Sequence, residues 1–497
     1  MSSESHMHGS GESHSGVVLT KHPNKSGRPL AEGVEGRPLT KENTGQPNSC
    51  RTQSRGSGPS GLAGVREAAR RDRKLKFTAL LHHVTVDLLR DSYGSLKKQA
   101  APGVDGVTWE EYGRDLEARL TGLHGRIHSG AYRAQPSRRV RIPKADGRQR
   151  PLGIAALEDK IVQHAVGTVL NPIWEEDFVG FSYGFRPGRS QHDALDALWV
   201  GMVRKKVNWV LDLDIRGFFD NMDHEWLVKF VEYRIGDRRV VRLIQKWLKA
   251  GVLEQGTWSE TEVGTPQGAV ISPQLANLYL HHVLDVWVNH WRKKAKGDVI
   301  VVRYADDAVL GFQYREEAER FLEQFEERLR KFGLELHPDK TRLIEFGRYA
   351  TERRKKRGAG KPETFNFLGF THICGTNHQT GQFTVHRRTM GKRMAAKLKD
   401  IRAKLRQRLH GAVGNTVDWL GAVVRGYFQY HAIPGNWARL RTFRNQVRRL
   451  WWRQLRRRSQ RSRWSWERFQ ERLGTLLPEI RIQHPYPDVR FDAKYPR

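Results

Sequence analysis

The chain contains 497 residues, carries a formal net charge of +33 and has a sequence pI near 10.4. Such an excess of positive charge predicts a polyanionic partner, with nucleic acid ahead of an anionic membrane. No apolar run reaches the roughly 18 residues that span a bilayer, and the first residues contain no apolar stretch typical of a signal peptide, so we expect a soluble, cytoplasmic protein. Cys50 and Cys374 are the only cysteines in the sequence, which excludes a disulfide framework and a zinc site built from four cysteines.

The beginning of the chain has the composition of a disordered segment. Residues 1–64 are rich in glycine, serine, proline and lysine, and they contain almost no periodic apolar residues. From Arg66 onward apolar residues recur at the spacing of a helix face, and a charged helix is predicted from Trp109 to about Leu123. We therefore expect a basic tail up to residue 64 and ordered structure from about residue 65.

The next segment predicts a basic β-hairpin. Residues 138–154 alternate basic and apolar side chains around a turn at residues 146–148. Lys144 and Arg150 flank the tip, and a lysine point charge together with a bidentate arginine suits a triphosphate. The alternative is an edge strand that its charges protect from aggregation.

Two acidic segments predict the reaction centre. A strand over residues 207–215 places Asp212 and Asp214 on one face, because side chains alternate along a strand. Asp306 and Asp307 lie at the bend between two apolar, β-rich runs. Adjacent carboxylates repel each other and raise each other's pKa unless a cation lies between them. Paired carboxylates that hold magnesium support phosphoryl transfer, so we predict a two-metal site with Asp306, Asp307 and either Asp212 or Asp214.

Two further segments have the character of nucleic-acid contacts. Residues 182–190 interleave aromatic and arginine side chains on a glycine-rich loop, which can stack on bases or pack against the core. Gln267 lies between glycines in a loop that leads into a predicted helix from Gln274 to about Trp291, where the backbone can approach an anionic ligand.

The C-terminal part is helical and strongly cationic in its pattern. Residues 439–463 contain eleven arginines and no acidic residue, and apolar residues recur there every three or four positions. Such a helix fits an RNA surface, although a basic amphipathic helix can also lie on a membrane.

Taken together, the motifs resemble those of bacterial group II intron reverse transcriptases and maturases, in that family's order, from about residue 75 to about residue 430. The segments that carry the resemblance are Asp105-Gly106-Val107, Arg150-Pro151-Leu152-Gly153-Ile154, Ser182-Tyr183-Gly184-Phe185-Arg186-Pro187-Gly188, Asp214-Ile215-Arg216-Gly217-Phe218-Phe219-Asp220, Pro266-Gln267-Gly268 and Tyr304-Ala305-Asp306-Asp307.

The resemblance implies a role for each matching residue. It selects Asp214 over Asp212 as the third catalytic carboxylate, so that Asp214, Ile215, Asp306 and Asp307 would hold two Mg²⁺ ions, with Mn²⁺ as a substitute. The implied contacts of the incoming nucleotide are Lys144, Arg150, Phe219, Gln267 and Lys340, with Phe219 under the sugar. The implied primer grip comprises Phe367, Leu368 and Gly369 within residues 365–370. Ala269 departs from the glycine usual in the family.

The resemblance also implies a maturase surface in the C-terminal part. Residues 419–435 resemble the maturase part of the thumb, and the adjacent arginines expected to bind RNA are Arg448, Arg449, Arg453, Arg456 and Arg457. Some members carry a DNA endonuclease. We expect none here, because the sequence shows no suitable cluster of His and Cys and leaves no room for one after the basic helix.

We therefore expect an α+β right-hand polymerase with an antiparallel palm sheet. The expected parts are a tail over 1–64, fingers and palm over 65–375, a helical thumb over 376–465 and a tail over 466–497. The expected activity is RNA-directed DNA synthesis, with intron RNA, RNA template, DNA primer, dNTPs and target DNA as partners and the oligomeric state open. The alternatives are a retron, diversity-generating or CRISPR-associated reverse transcriptase, or a protein that acts mainly as an RNA-binding splicing factor.

Overall fold

The structure is a computed structural model, and it describes residues 59–143, 149–254, 257–259, 263–265, 268–377, 379–459 and 464–496. Its helices are α1 (Pro59–Arg71), α2 (Val86–Ser95), α3 (Trp109–Tyr112), α4 (Leu116–His128), α5 (Leu157–Asp177), α6 (Gln191–Arg204), α7 (His224–Arg234), α8 (Arg238–Lys249), α9 (Ser272–Leu280), α10 (Val286–Lys293), α11 (Arg315–Arg330), α12 (Ala350–Lys356), α13 (Gly391–Gln407), α14 (Val413–His431), α15 (Trp437–Arg456), α16 (Trp466–Phe469) and α17 (Pro487–Lys494). Its strands are β1 (Ser137–Pro143), β2 (Gln149–Ile154), β3 (Trp209–Asp214), β4 (Val252–Glu254), β5 (Thr257–Ser259), β6 (Val299–Tyr304), β7 (Asp307–Phe312), β8 (Arg342–Glu345), β9 (Phe365–Phe367), β10 (Phe370–Thr376) and β11 (Phe383–Thr389).

The fold is mixed α/β with largely antiparallel sheets, as predicted, and it divides into two compact units. Among the described residues, the first unit contains the chain up to Asp177 together with His224–Leu275. The second contains Phe178–Asp223 and the chain from Ala276 onward. Each unit therefore joins segments that are distant in sequence.

The first unit is built around the buried helix α5 and a sheet in the order β2-β1-β4-β5. Strands β1 and β2 pair antiparallel, from Arg138 opposite Ile154 to Pro143 opposite Gln149, which confirms the predicted basic hairpin. The hairpin tip, residues 144–148, lies outside the described residues. Helix α1 begins at Pro59, so helical structure starts within the segment predicted to be a tail.

The second unit contains a sheet in the order β6-β7-β3-β8 and a smaller sheet in the order β11-β10-β9. One apolar core joins α6 to both sheets through buried residues such as Leu198, Val210 and Phe370. Strands β6 and β7 pair antiparallel through the predicted acidic bend, which confirms that hairpin. Strand β3 pairs with β7 on the other side, so the end of β3 lies beside the bend.

A second core of the same unit packs α13, α14 and α15 together. The apolar stripe predicted for the basic helix is buried in this core, at Leu440, Phe443, Val447, Trp451 and Leu455. Helix α15 ends at Arg456, and residues 460–463 of the predicted helix lie outside the described part of the chain.

Three elements differ from the sequence-based expectation. The helix expected from Trp109 is interrupted at Gly113–Asp115 by a 3₁₀ turn. The helix expected after Gln274 contains a π-helical turn at His281–Asp285. The segment expected to be a C-terminal tail instead forms α16 and α17, and α17 packs on α6 through ion pairs such as Arg204 with Asp492 at 2.7 Å. Local patterns miss this docking because the ion pairs join residues nearly 300 positions apart.

Candidate active site

The acidic bend is a two-residue β-turn formed by Ala305 and Asp306. Tyr304 and Asp307 close the turn as a cross-strand pair. Ala305 has φ +56°, which a residue with a side chain rarely adopts, and a positive φ at the first turn position is typical of a type II′ hairpin, where glycine is usual. The turn therefore carries backbone strain that its surroundings must hold in place.

The aromatic and arginine loop predicted at residues 182–190 supplies one of these restraints. A Cβ atom on Gly184 would lie 2.2 Å from the backbone nitrogen of Ala305, so only glycine lets the two backbones approach this closely. The backbone of this loop also pairs with β6, since Tyr183 N–H donates to the Arg303 carbonyl at 2.9 Å. The loop thus packs directly against the acidic turn.

A buried hydrogen-bond network supplies the second restraint. Arg303 is fully buried and forms a bidentate ion pair with the equally buried Asp285, at 2.7 and 2.5 Å. Its remaining donors reach Asn277 Oδ1 at 3.0 Å, Ser182 Oγ at 2.7 Å and the carbonyl of Ala305 at 2.9 Å. A guanidinium presents five donors in a rigid fork, so this one side chain can hold the main chain of the turn through the Ala305 carbonyl while it contacts the other three residues.

The structure brings three predicted carboxylates to one end of the sheet. Asp214, the last residue of β3, lies directly opposite Asp307 on β7, and Asp306 is the neighbouring turn residue. Residues in such cross-strand pairs have Cβ atoms about 4.5–5.5 Å apart. Asp212 shares the face of Asp214 but lies farther from the turn, opposite Val309, with Arg342 at 3.5 Å.

Electrostatics distinguish these carboxylates. Protein groups crowd Asp307 and displace water, and Asp306 and Asp214 repel its charge, so the pKa of Asp307 is raised to about 7 even though part of its side chain reaches solvent. Arg393 acts in the opposite direction and favours the charged form of Asp307. Burial raises the pKa of Asp212 to about 6, and Arg342 partly offsets that effect. The carboxyl groups at this end of the sheet therefore cannot easily all be ionised at the same time.

Lys340 lies beside this acidic group. Its Nζ donates a hydrogen bond to Asp214 Oδ2. The position follows from the turn at residues 337–340, since the His337 N–H donates to the Asp214 carbonyl at 2.8 Å and the Ile215 backbone bridges to Leu336. Lys340 thus neutralises Asp214, and a contact with the incoming nucleotide stays a prediction.

The donor chemistry of this group suits magnesium. Hard carboxylate oxygens are the ligands that Mg²⁺ prefers, and their mutual repulsion is relieved by a cation. Within the described ranges, however, no three His, Cys, Asp or Glu side chains converge closely enough to form a finished metal site. Lys340 gives Asp214 a cationic partner within the protein. The predicted metal ligation by Asp214, Ile215, Asp306 and Asp307 stays a prediction.

Phe219 and Phe218 have different environments. Phe218 is 2% exposed and packs against Tyr279, whereas Phe219 is half-buried and meets Phe218 edge-on at 5.3 Å. The turn that separates them from β3 is set by Gly217, whose carbonyl accepts the Asp220 N–H at 2.9 Å. Of the two rings, Phe219 keeps a face available for a ligand.

The predicted primer-grip residues form a strained turn between β9 and β10. Phe367 is buried, while Leu368 and Gly369 have φ +45° and +83°. Tyr430 holds the turn, because its hydroxyl donates to the Leu368 carbonyl at 2.7 Å. A Cβ atom on Gly369 would lie 3.0 Å from the Arg393 guanidinium, which places Arg393 between this turn and Asp307.

Arg393 and Tyr430 are functional candidates that the sequence analysis missed. Both come from helices of the C-terminal part, α13 and α14, so no local motif connects them to the acidic hairpin. The only sequence signal is that Tyr430 belongs to the segment resembling a maturase thumb.

The remaining nucleotide-binding predictions fall in the first unit. Arg150 is half-buried on β2 opposite Ile142. Gly268 has φ +112°, and a Cβ atom there would lie 2.7 Å from the Gly153 carbonyl, so this loop packs tightly on the same strand. Lys144 and Gln267 lie outside the described residues.

The predicted RNA-binding arginines of α15 separate into two groups. Arg449, Arg453, Arg456 and Arg457 are exposed. Arg448 instead donates to Gln470 Oε1 and lies over the Trp466 ring at 5.8 Å, and burial lowers the pKa of its guanidinium. Arg448 therefore packs the C-terminal segment onto α15, and only the other four form an open cationic surface. None of the helices in the described segments is long and apolar enough to cross a membrane.

A family model matches the part of the chain that contains this site. Residues 142–372 match the family model described as reverse transcriptase (RNA-dependent DNA polymerase), a range that contains Asp214, Asp306, Asp307 and Lys340. This part of the chain is thus similar to reverse transcriptase domains.

The similar curated proteins include intron-encoded ones. Protein YkfC of Escherichia coli (strain K12) is 39% identical over 245 residues, which cover 44% of this chain and 64% of YkfC. The group II intron-encoded protein LtrA of Lactococcus lactis subsp. cremoris is 36% identical over 222 residues, which cover 44% of this chain and 36% of LtrA. An uncharacterized 91 kDa protein in the cob intron of Schizosaccharomyces pombe is 39% identical over 168 residues, which cover 34% of this chain and 20% of that protein.

The chain spans less than two thirds of the length of each of these relatives. Within the shared region they confirm the resemblance to group II intron reverse transcriptases and maturases that the motifs predicted.

Proposed function

We propose that the protein is a group II intron reverse transcriptase that copies intron RNA into DNA and binds the same RNA to assist its splicing. The observation that carries the polymerase part is the position of Asp214, Asp306 and Asp307 at the same end of one sheet, within the region that matches the reverse transcriptase family. The primer 3′ oxygen would attack the α-phosphorus of a dNTP, and pyrophosphate would leave.

We further propose the right-hand arrangement for this fold. The sheet β6-β7-β3-β8 would be the palm, because it bears the three carboxylates. The first unit, with its basic hairpin, would provide fingers, and the bundle of α13, α14 and α15 would be the thumb and maturase part.

Asp214, Asp306 and Asp307 would hold the magnesium ions, with the Ile215 carbonyl as a further oxygen. Bound magnesium would neutralise charge on the triphosphate and make the primer hydroxyl a better nucleophile. The protein's own residues provide positioning. Arg303 and Gly184 fix the acidic turn, and Phe219 would lie under the sugar of the dNTP.

The maturase part of the proposal rests on the positive charge of the thumb and on the similarity to intron-encoded proteins. The intron-encoded relatives support it, and the four exposed arginines of α15 give the thumb a cationic face. Structured RNA is recognised mainly through backbone and shape, so such a face could stabilise a folded intron without any protein nucleophile. A protein acting only as a splicing factor would not need the intact set of three carboxylates.

Primer extension by aspartate variants tests the proposal. We expect Asp306→Asn and Asp307→Asn to lose several orders of magnitude in rate with RNA affinity nearly intact. Asp212→Asn is the matched control, because Asp212 shares the strand face of Asp214 but pairs with Arg342, and its rate should stay within about tenfold of wild type. A rate above about a tenth of wild type for Asp306→Asn in magnesium would refute the two-metal assignment.

A further inference from the structure

A cavity of about 290 Å³ lies between α13 and α15, away from the acidic hairpin and its contacts. Its size is near the lower limit of about 300 Å³ for small-molecule sites, so it can admit one ring-sized group. Each helix contributes lining residues at positions i, i+3 and i+4, which is one helix face turned toward the other, and Leu409 and Arg457 just after the two helices complete the lining. The cavity is therefore a product of how the two helices pack.

Four arginines form the rim of this cavity. Arg402 and Arg406 come from α13, Arg453 comes from the last turn of α15, and Arg457 directly follows that helix. All four are exposed, and no acidic side chain is among the described residues that line the cavity. Four guanidiniums around one opening suit phosphate groups, which arginine binds through two parallel hydrogen bonds.

The floor has a different chemistry. Leu405 is buried, and Leu409 and Leu450 are partly buried beside it. Gln454 completes the floor and is only 6% exposed. Its Nε2 donates to the Arg408 carbonyl at 3.3 Å, but its Oε1 has no hydrogen-bond partner among the residues the structure describes. A buried acceptor without a partner is costly, and a ligand with an N–H group would satisfy it.

We propose that this cavity binds a single unpaired nucleotide of a structured RNA. The base would enter against the leucines, its amino group would donate to Gln454 Oε1, and the flanking phosphates would contact the arginine rim. Free phosphate would leave the apolar floor unused, and an apolar peptide would gain nothing from four arginines. The exposed Arg449 and Arg456 extend the cationic surface along α15, which favours a polymer over a free nucleotide.

This inference rests on the proposed function, because it takes RNA as the ligand. It adds a way in which the protein would recognise that RNA. Single-stranded bulges and loops are the parts of RNA whose bases can be splayed out and bound. A pocket for one such base would give the thumb a preference for a structural feature, which phosphate contacts alone do not provide.

The test uses the full-length protein and two RNA hairpins of equal length. One carries a single bulged 2-aminopurine, and the other is fully paired. We expect about tenfold tighter binding of the bulged hairpin, together with a change in 2-aminopurine fluorescence as the base leaves the stack. Equal affinity for both hairpins in the wild-type protein would overturn the inference while leaving the proposed function intact.

Two variants separate the pocket from the surrounding charge. Leu409→Trp fills the cavity and keeps every arginine, so it should abolish the preference for the bulge and leave affinity for the paired hairpin unchanged. Arg449→Ala removes a charge from α15 outside the cavity, so it should weaken binding of both hairpins equally.

A preference for the bulged hairpin that survives in Leu409→Trp, with the protein still active in primer extension, would refute the pocket. If the wild type binds neither hairpin and extends no primer, the proposed function itself fails, and this inference fails with it.

Discussion

The Arg303 guanidinium donates a 2.9 Å hydrogen bond to the main-chain carbonyl of Ala305, the residue immediately before Asp306. Asp285, which the chain places in a π-helical turn, balances the charge of the same guanidinium. π-helical turns cost regular helix hydrogen bonds and occur frequently at functional sites. A single buried ion pair thus connects a helix irregularity to the geometry of the acidic turn.

We predict that Asp285→Ala destabilises the protein by about 3–5 kcal/mol, because it leaves the fully buried Arg303 without a counter-charge. Asp285→Asn keeps one acceptor and should fold, with primer extension reduced through a displaced turn. Urea unfolding and extension rates measure the two effects. The control is Glu319→Ala, which breaks the exposed pair with Arg315 and should cost less than about 1 kcal/mol. Equal costs for the two alanine variants would contradict the prediction.

Phe219→Val should admit ribonucleotides, since the half-buried ring is the one available to lie under the sugar and to exclude a 2′ hydroxyl. The measurement is the ratio of dNTP to NTP incorporation on an RNA template. Phe218→Val is the matched control: its ring is buried, so we expect lower stability and unchanged sugar selectivity. Identical selectivity in Phe219→Val and wild type would remove Phe219 from this role.

Local sequence patterns predicted the elements that bear the carboxylates but not the residues that hold them in place. Alternation along a strand put Asp212 and Asp214 on one face, and only the register of β3 against β7 shows that Asp214 is the one opposite Asp307. Arg303 occupies a position in β6 where an apolar residue would be expected, and its role depends on Asp285 and on the loop at residues 182–190. Such contacts arise from the three-dimensional fold, which periodicity cannot encode.

The C-terminal part shows the same limit. The arginine face of α15 was predicted from its spacing, but the pattern cannot tell that Arg448 packs against α16 and the following turn while its neighbours remain exposed. The docking of α17 on α6 likewise depends on ion pairs between distant segments.

We predict that metal binding releases protons near neutral pH. The pKa of Asp307 is raised to about 7, so in the metal-free protein this carboxyl is about half protonated at that pH. A raised carboxyl pKa favours the fold when the group is protonated, and that contribution is lost as pH rises from about 4 through 7. Metal must displace the proton, so apparent Mn²⁺ or Mg²⁺ affinity should fall as pH drops below 7.

Calorimetric titration in two buffers with different ionisation enthalpies measures this release. We expect close to half a proton per site at pH 7 and almost none at pH 9. Asp307→Asn should abolish the release together with tight binding, whereas Asp212→Asn should retain both. Metal binding without any proton release at pH 7 would show that Asp307 is already ionised or is not a ligand.

We predict that polymerisation and splicing can be separated by mutation. Asp306 lies on the acidic turn, whereas the four exposed arginines lie on α15 and directly after it, so each set can be changed without the other. Replacing Arg449, Arg453, Arg456 and Arg457 by alanine should weaken intron RNA binding and splicing together. It should also reduce the slope of log K against log salt concentration by up to about 3.

Arg448→Ala is the informative control, because it disrupts packing with Gln470 and should lower stability more than it lowers the salt slope. Asp306→Asn should still support splicing of precursor RNA at moderate magnesium, since stabilising a folded intron requires binding but no chemistry by the protein. Normal splicing by the four-arginine variant, or loss of splicing in Asp306→Asn with RNA affinity intact, would show that the two functions do not reside on these separate surfaces.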